Sequence, residues 1–309
     1  MIGDPIMSTD TRVIWFNGEF VPWDDANVHV LTHTLHYSLG CFEGIRAYET
    51  ATGPAIFRLQ AHVDRLFRSA HILGMTLPYS PETLCTAQKN LIKNNQLKSA
   101  YIRPLCFYGV GQGIHASNLK VEVMIAAWEW GDYHGKESAE KGIRAQTSHL
   151  TRNTPNSALC KAKAVGNYLN SALAVRDAKC SGYDEALLLD SQGYVAEGSG
   201  ENIFIVRNGA LYTPDTGSIL EGITRETVMT FAHDQGISMT EKRLTRDDLY
   251  TADEVFLTGT AVEIVPVREV DGRTIGKGVR GPMTTRLQAL YADTVRGKNA
   301  QYLDWVEPC

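Results

Sequence analysis

The sequence lacks several features that would assign it to a specialised class of protein. A transmembrane helix needs about 20 consecutive apolar residues. The apolar run from Val121 to Trp128 has only the length of a strand, and Glu122 interrupts it. Residues 1 to 5 (MIGDP) contain no basic segment before an apolar core, so we predict no signal peptide. These absences predict a cytoplasmic protein that does not insert into a membrane.

Cysteine pairs at metal-site spacing and a strong excess of one charge are also missing. The six cysteines are scattered without a Cys-x-x-Cys motif, and the chain is long enough to bury a core without disulfides. We therefore expect reduced thiols. Lys and Arg together number 30 against 35 Asp and Glu, a net charge of −5. This mild acidity disfavours nucleic acid and anionic membrane surfaces as partners.

What is present is the composition of an ordinary globular protein. The chain has 309 residues, of which 43% are hydrophobic and 21% charged. At about 150 residues per domain, this length predicts two domains that each bury a core.

Local patterns in the first half predict a mixture of strands and helices. Asn17-Gly18 is a strong hairpin signal between two short apolar segments. Helical periodicity follows over residues 61 to 73, and a second helix is predicted to begin at Ser80-Pro81. Two buried strands are predicted at residues 100 to 108 and 121 to 128. We assign residues 1 to 130 to a small α+β domain.

The polar, glycine-containing segment at residues 131 to 142 has no periodicity and is predicted to be an interdomain linker. Beyond it, short strands around turn signals such as Asn208-Gly209 and Asp271-Gly272 are interspersed with helices. This pattern favours a mixed, mostly antiparallel α+β domain over alternating βαβ units. We assign residues 143 to 309 to this large domain.

Two glycine-containing motifs suggest other chemistries but do not fit them. The loop Gly109–Gly113 follows a predicted strand, yet Ile114 stands where a dinucleotide-binding loop needs its third glycine. Ser199 lies in Gly-Ser-Gly, not in the Gly-x-Ser-x-Gly order of a hydrolase. We predict a simple loop at the first motif and no hydrolase activity from the second.

Three histidines would share one face if their segment were helical. His29, His33 and His36 have a spacing that metal ligands can use. The β-branched threonines among them favour strand or loop, and no acidic or cysteine ligand is near. We therefore predict packing histidines and no metal.

Residues 156 to 170 place Lys161 and Lys163 among small and apolar side chains. Such surroundings can convert a lysine from a solvated charge into an imine-forming nucleophile. An imine with pyridoxal phosphate also requires a carboxylate for the ring nitrogen and donors for the phosphate. Glu197, in a glycine-rich turn, and glycine-flanked segments at Ile223 and Thr260 provide these residue types.

At this point the sequence resembles the class IV pyridoxal-phosphate aminotransferases, and among them the bacterial branched-chain amino-acid aminotransferases. The resemblance extends over nearly the whole chain. Its motifs are WFNG (15–18), HY (36–37), FEGIR (42–46), AYIRP (100–104), KAVGNYL (163–169), EGSGENIF (197–204), LYT (211–213), LEGITR (220–225) and GTAVE (259–263). It implies a two-domain α+β fold of fold type IV, like that of D-amino-acid aminotransferase.

The resemblance also implies a cofactor site. Lys163 is then the residue that forms the imine with pyridoxal phosphate, Glu197 pairs with the ring nitrogen, and Tyr168 bonds the ring hydroxyl oxygen. Phosphate binding falls to Arg58, Ile223, Thr224 and Thr260. Val165 stands where the family more often has glycine, and Lys161 has no assigned chemistry.

For the substrate, the resemblance assigns the α-carboxylate to Thr260, Ala261 and the Tyr101 hydroxyl. Arg103 supports Tyr101 and meets the second carboxylate when glutamate enters. Single aromatic residues are otherwise as often core as pocket. The apolar pocket is assigned to Tyr37, Phe42, Trp130 and Tyr133.

The implied activity is ping-pong transamination of L-leucine, L-isoleucine and L-valine with 2-oxoglutarate. The open alternatives are a D-amino-acid transaminase, an (R)-amine transaminase, an aminodeoxychorismate lyase and a non-catalytic binding protein of the same fold. The retained Lys163 and Glu197 disfavour the last. A homodimer or a larger assembly, up to a hexamer, is expected, with the loop at Ile114 reaching towards a partner subunit.

Overall fold

The computed structural model describes residues 12–116, 118–131 and 136–309. These residues form two compact units. Unit 1 contains the described residues up to Trp130 together with Ala164–Gly166 and Leu303–Cys309. Unit 2 contains Gly131–Lys163 and Asn167–Tyr302. Two short segments of the predicted large domain thus lie in unit 1.

Unit 1 is built on one antiparallel sheet flanked by helices. Its strands are β1 (Val13–Phe16), β2 (Glu19–Pro22), β3 (Gly40–Phe42), β4 (Ile45–Thr50), β5 (Gly53–Phe57), β6 (Ala100–Tyr108), β7 (Val121–Glu129) and β17 (Val306–Pro308). The strand order is β17-β5-β4-β6-β7-β1-β2, with β3 paired to β6. Its helices are α1 (His33–Tyr37), α2 (Leu59–Ile72) and α3 (Pro81–Asn94).

Local sequence explains the elements that we predicted in this unit. Asn17 and Gly18 have φ values of 50° and 100°, as a tight hairpin requires, and they join β1 to β2. The Ser80 hydroxyl accepts a hydrogen bond from the Thr83 N–H at 3.2 Å and caps α3. The apolar faces of α2 and α3 pack into the core of the sheet through residues such as Leu66 and Leu91.

The prediction of strand or loop around the three histidines was wrong, because His33 begins α1. The helix has only one turn and ends at Ser38, whose φ of 58° is left-handed. His33 is fully buried, and its Nε2 lies 3.3 Å from the Ile114 carbonyl oxygen. A tertiary contact therefore outweighs the low helix propensity of the threonine-containing segment.

Unit 2 contains a second, larger sheet. Its strands are β8 (Ile143–Thr151), β9 (Glu185–Leu189), β10 (Val195–Gly198), β11 (Asn202–Arg207), β12 (Ala210–Thr213), β13 (Met239–Glu241), β14 (Glu254–Gly259), β15 (Glu263–Val270) and β16 (Arg273–Thr274). Its helices are α4 (Lys136–Lys141), α5 (Tyr168–Cys180), α6 (Ile223–Asp234), α7 (Arg246–Tyr250) and α8 (Pro282–Val295).

The strand order in this sheet is β10-β9-β8-β15-β14-β11-β12-β13, with β16 paired to β15. β8 runs parallel to both β9 and β15, and β12 runs parallel to β13. The other pairs are antiparallel. The predicted α+β class with mostly antiparallel sheets is confirmed.

The segment predicted as a linker contains helix α4. Glu137 in its first turn and Lys141 at its end form an i,i+4 ion pair at 2.5 Å. The helix was missed because it lies between glycines and shows no apolar periodicity.

None of the helices in the part of the chain that the structure describes is both long enough and apolar enough to cross a bilayer. All six cysteines are free thiols, including Cys41 and Cys106, which lie opposite each other on β3 and β6.

Candidate active site

Lys163 and Tyr168 lie side by side at the start of α5. The Lys163 Nζ donates a hydrogen bond to the Tyr168 hydroxyl at 2.6 Å. The intervening turn, Val165–Asn167, is a 3-10 helix that leads into α5. Lys161, by contrast, points to Glu221 and forms an ion pair at 2.6 Å, with the two side chains 41% and 48% exposed. The two lysines of this segment therefore have different surroundings.

Glu197 lies in β10 with its carboxylate buried. Its Oε1 accepts a hydrogen bond from the Arg152 Nε at 2.5 Å. Its Oε2 accepts from the Asn202 side-chain amide at 3.1 Å and from the Leu220 N–H at 3.2 Å. Burial raises the pKa of Glu197, although Arg152 opposes this shift. One cation and two neutral donors thus hold a carboxylate out of water.

Asn202 connects Glu197 to the start of α6. Its side-chain amide donates both to Glu197 and to the Leu220 carbonyl oxygen, the latter at 2.9 Å. A Cβ on Gly222 would lie 1.9 Å from the Asn202 Oδ1, so this approach requires glycine at the N-cap of α6. The N–H groups of Ile223 and Thr224 follow directly, and both residues are buried. A helix start with partial positive charge is therefore fixed relative to Glu197.

Two further buried acids, Glu185 at the start of β9 and Glu201 in the turn between β10 and β11, accept hydrogen bonds from this turn. Glu185 Oε1 accepts from the Ser199 N–H at 3.3 Å, and Glu201 Oε2 accepts from the Gly200 N–H at 3.1 Å. Burial raises the pKa of both carboxyls, and Glu185 raises that of Glu201 further. Sequence reasoning did not single out either acid.

Thr260 and Ala261 occupy the turn between β14 and β15 and are partly buried. This turn lies beside the glycine-rich β10–β11 turn, because a Cβ on Gly259 would be 3.3 Å from the Glu201 Cγ and 3.5 Å from the Gly200 oxygen. The Oγ1 of Thr258, one residue before Gly259, is buried with no hydrogen-bond partner among the described residues. In unit 2, Lys163 thus contacts Tyr168 and is close enough to Glu197 to lower the pKa of that carboxyl. The Thr260 turn lies beside the motif that contains Glu197.

In unit 1, four of the predicted pocket residues form one cluster. The Arg103 Nη2 donates to the Tyr101 hydroxyl at 3.2 Å, and its guanidinium lies 4.7 Å from the Phe42 ring centroid. The rings of Tyr101 and Trp130 have centroids 4.8 Å apart. Trp128 stacks on the same tyrosine at 5.3 Å and was not predicted. Its place near the end of β7, two residues before Trp130, was the available signal, because alternate residues of an extended chain share a face.

Gly44, in the segment between β3 and β4, has to be glycine because the Tyr101 side chain approaches it closely. A Cβ on Gly44 would lie 2.0 Å from the Tyr101 Oη. Glu43, the residue before it, is fully buried and accepts from the Arg65 Nε at 2.7 Å and the His62 Nδ1 at 2.8 Å. The side chains of α2 thereby fix the segment that carries Phe42. Sequence reasoning missed Arg65 and His62, which no motif marks.

Arg58 stands between β5 and α2, as the N-cap of the helix, with a left-handed φ of 54°. Its N–H donates to the Trp305 carbonyl oxygen at 2.7 Å, and its guanidinium lies 4.6 Å from the Trp305 ring centroid. Arg58 thus lies at a strand end directly before a helix, and its phosphate role stays a prediction.

The two other predicted pocket residues are Tyr37 and Tyr133. Tyr37, at the end of α1, is 44% exposed and stacks on His33 at a centroid distance of 4.6 Å. Tyr133 lies outside the described residues.

Comparison with known proteins identifies the family. A model of the family described as amino-transferase class IV matches residues 40–270. The branched-chain-amino-acid aminotransferase of Pseudomonas aeruginosa is 55% identical over 300 residues, which cover 97% of this chain and 98% of the relative.

Solved structures agree. The branched-chain amino acid aminotransferase of T.th. with pyridoxamine 5'-phosphate superposes with a TM-score of 0.94 at 50% identity, covering 96% of this chain and 98% of that one. The same enzyme complexed with N-(5'-phosphopyridoxyl)-L-glutamate gives a TM-score of 0.92 at 49% identity, with the same coverage. The family resemblance and the fold that it implied are confirmed, and the chain belongs to the class IV aminotransferases.

Proposed function

We propose that this protein transfers the amino group of L-leucine, L-isoleucine and L-valine to 2-oxoglutarate in a ping-pong reaction that uses pyridoxal phosphate. The observation that carries this proposal is the lysine amine hydrogen-bonded to a phenol at 2.6 Å, in a chain with 55% identity to a branched-chain aminotransferase. The T.th. relative, solved with a phosphopyridoxyl glutamate, supports glutamate as the acidic partner.

The residues of unit 2 fit pyridoxal phosphate. A buried carboxylate suits a protonated ring nitrogen, and the Glu197 Oε1 retains a lone pair beyond the one that Arg152 uses. The cluster also contains a buried Arg152 Nη1 without a partner among the described residues. When bound, pyridoxal phosphate acts as an electron sink for the electrons released at the α-carbon of the amino acid.

In this assignment Lys163 anchors the cofactor and then moves protons. Its amine would hold the cofactor and, once free, would be the base that takes the proton from the substrate α-carbon and returns it. Tyr168 would donate to the oxygen at position 3 of the ring. Glu197 holds the proton on the ring nitrogen.

The phosphate is assigned to four residues, each for its donors. The N–H groups of Ile223 and Thr224 lie at the start of α6, where the helix dipole favours an anion. Thr260 contributes from the β14–β15 turn. Arg58 provides a guanidinium, which can form two parallel hydrogen bonds with phosphate oxygens.

The substrate residues must accept both an apolar and an acidic side chain. The aromatic rings of Phe42, Trp130, Tyr37 and Tyr133 are assigned to the branched side chain. Arg103, held against Tyr101 and Phe42, is assigned to the second carboxylate of glutamate. The amides of Thr260 and Ala261, with the Tyr101 hydroxyl, are assigned to the α-carboxylate. An arginine at the edge of an aromatic wall allows one pocket to alternate between both substrates.

A substrate panel tests the activity. We expect turnover of the three branched-chain L-amino acids with 2-oxoglutarate, measured by glutamate formation. Equal or better turnover of D-alanine or (R)-1-phenylethylamine would contradict this proposal and favour a D-amino-acid or (R)-amine transaminase. Pyruvate release from aminodeoxychorismate would favour the lyase.

The two neighbouring lysines offer a matched pair of variants. Lys163→Ala should reduce turnover by about 10³-fold or more and abolish the cofactor adduct that borohydride reduction fixes to the protein, detected by mass. Lys161→Ala removes only an exposed ion pair and should behave like the wild type. A reducible adduct in the Lys163→Ala protein would remove the role from this lysine.

We also propose that the protein is at least a homodimer and works in the cytoplasm, where its free thiols remain reduced. Unit 1 exposes a set of large apolar side chains on and beside α1 and the adjacent loop. They are Val28, Val30, Leu31, Leu35, Tyr37, Val110 and Ile114. The loop and the segment before α1 are joined by a bridge between Thr32 and Val110, so the patch is continuous. Its proposed occupant is a second copy of the chain, which would place Tyr37 at the interface.

Sedimentation of Leu35→Glu and Ile114→Glu proteins tests the assembly. Both should dissociate at concentrations where the wild type is dimeric or hexameric. Val279→Glu, at an exposed apolar residue of unit 2, is the control and should not dissociate. A monomeric wild-type enzyme with full activity would exclude the assembly.

A further inference from the structure

Arg152 is a buried cation that none of the assigned roles uses. It follows β8, and its N–H donates to the Leu189 carbonyl oxygen at 2.7 Å, which fixes its backbone to the end of β9. Its side chain is 8% exposed, as is that of Glu197, which it contacts at 2.5 Å. A buried arginine is costly unless its charge is used. The structure therefore raises the question of what this charge does for Glu197.

The hydrogen bonds around Glu197 specify the geometry of a further donor. A carboxylate has two lone pairs on each oxygen. On Oε2 both are used, by Asn202 and by the Leu220 N–H. On Oε1 Arg152 uses one. A ring N–H that approaches Glu197 must then bind Oε1 and share this oxygen with Arg152.

The charges around Glu197 oppose each other. Burial favours the protonated carboxylic acid, and Arg152 is the nearest cation that favours the carboxylate, with Lys163 as a weaker second. The other buried acids nearby, Glu185 and Glu201, carry no positive charge and therefore cannot favour the ionised form of Glu197. Without the guanidinium, a proton placed between Glu197 and a ring nitrogen would move towards the carboxylate.

We propose that Arg152 is a positioning residue that keeps Glu197 ionised, so that the shared proton remains on the cofactor ring nitrogen. This inference rests on the proposed function. A protonated ring withdraws electrons better than a neutral one, so Arg152 acts on the acidity of the substrate α-carbon through Glu197. It contacts neither substrate nor the reacting atoms in this role.

The test is the protonation state of the ring nitrogen in the holoenzyme, observed by 15N NMR with 15N-labelled pyridoxal phosphate. In the wild type we expect the resonance of a protonated nitrogen. In Arg152→Gln, which retains a donor for Oε1 but no charge, the resonance should move towards that of neutral pyridine. In the same variant, the turnover number kcat with leucine should fall by about 10- to 100-fold, with little change in KM.

Three further variants make the result specific. Arg152→Lys keeps the charge, so its 15N resonance should stay close to that of the wild type. Arg152→Met is a second neutral variant and should reproduce the shift if the glutamine protein folds poorly. Arg144→Met is the control. Arg144 lies on β8, the strand that precedes Arg152, and pairs with Glu269 on β15, so its loss should leave the 15N resonance unchanged.

The outcomes separate this inference from the function on which it rests. If the wild type forms no adduct at Lys163 or does not transaminate leucine, the proposed function fails. If the wild type does both and the neutral Arg152 variants retain a protonated ring nitrogen, the proposed function stands and the role of Arg152 is overturned.

Discussion

Each unit of the molecule buries a glutamate against an arginine, and the two arrangements differ. In unit 1, Glu43 receives two hydrogen bonds from Arg65, at 2.7 and 2.9 Å, and one from His62. In unit 2, Glu197 receives one from Arg152, and its other partners are neutral amides. Burial raises the pKa of both carboxyls, but the partners of Glu43 outweigh it and hold its pKa well below the usual range, whereas that of Glu197 remains raised.

This difference in hydrogen bonding separates an ion cluster that stabilises the fold from one that can take part in a reaction. Glu43 is bound by the full fork of a guanidinium and by a histidine, which leaves it no need for another cation. The partners of Glu197 neutralise its buried negative charge only in part. Under this condition an additional positive group binds favourably. Substitution of each acid should therefore affect a different property of the protein.

The largest expected effect is on turnover in Glu197→Gln. A neutral amide cannot hold a proton on the ring nitrogen, so kcat should fall by about 10²- to 10³-fold while the cofactor remains bound. Steady-state kinetics and the cofactor absorbance measure the two quantities. Unchanged turnover would place Glu197 in the same structural class as Glu43.

Glu43→Gln should affect stability instead. Removing the carboxylate leaves Arg65 buried without its charge partner, and such losses cost about 3 to 5 kcal/mol in the free energy of unfolding. Urea denaturation of the holoenzyme measures this value, and kcat of the folded fraction should change by much less than in Glu197→Gln. If Glu43→Gln were as stable as the wild type, the cluster would not stabilise unit 1.

Gly44→Ala tests how closely unit 1 packs beneath Tyr101. The added Cβ would overlap the Tyr101 hydroxyl, so this side chain must shift and kcat/KM should fall by about tenfold, at an overpacking cost of ~1 to 3 kcal/mol. Because the new Cβ would also lie 2.8 Å from the Tyr101 Cζ, Tyr101→Phe removes only part of the overlap, and the double variant should lose less than the sum of the two single variants. Gly131→Ala, whose new Cβ would have no atom of the described residues within 4 Å, is the control. Additive losses would contradict the contact.

The smallest effect is on the pH dependence of the cofactor-free protein. The pKa of Glu43 is lower in the folded state than its unfolded value of 4.5, so its stabilisation is present above pH 4.5 and is lost as the pH falls further. The pKa of Glu197 is raised, so its ionisation costs stability as the pH rises from about 4.5 through the folded value. Urea unfolding at a series of pH values should show Glu43→Gln flattening the acid limb below pH 4.5. Glu197→Gln should flatten the slope above it, and the reverse pattern would refute the comparison.

Much of the local structure could be predicted, because its determinants are contiguous. Asn17-Gly18 fixes a hairpin and Ser80 caps a helix through contacts within a few residues. The one-turn helix at His33 was missed because a contact with Ile114, distant in sequence, stabilises it. The motifs identified Lys163 and Glu197 but not Arg152. An isolated arginine belongs to no sequence pattern from which a partner 45 residues away could be predicted. The same holds for Arg65 and His62 around Glu43.

The pairing of β17 with β5 has a consequence for biosynthesis. Val306 lies opposite Phe57, so the edge of the unit 1 sheet beside Arg58 gains its neighbour only after the ribosome has added residues beyond 300. Ala164 likewise joins unit 1 through its bridge to Cys41 after more than half of the chain has been made. The unit that is translated first is thus completed last. A fragment cut at residue 131 would lack both segments, so unit 1 is expected to wait, partly assembled, for the end of translation.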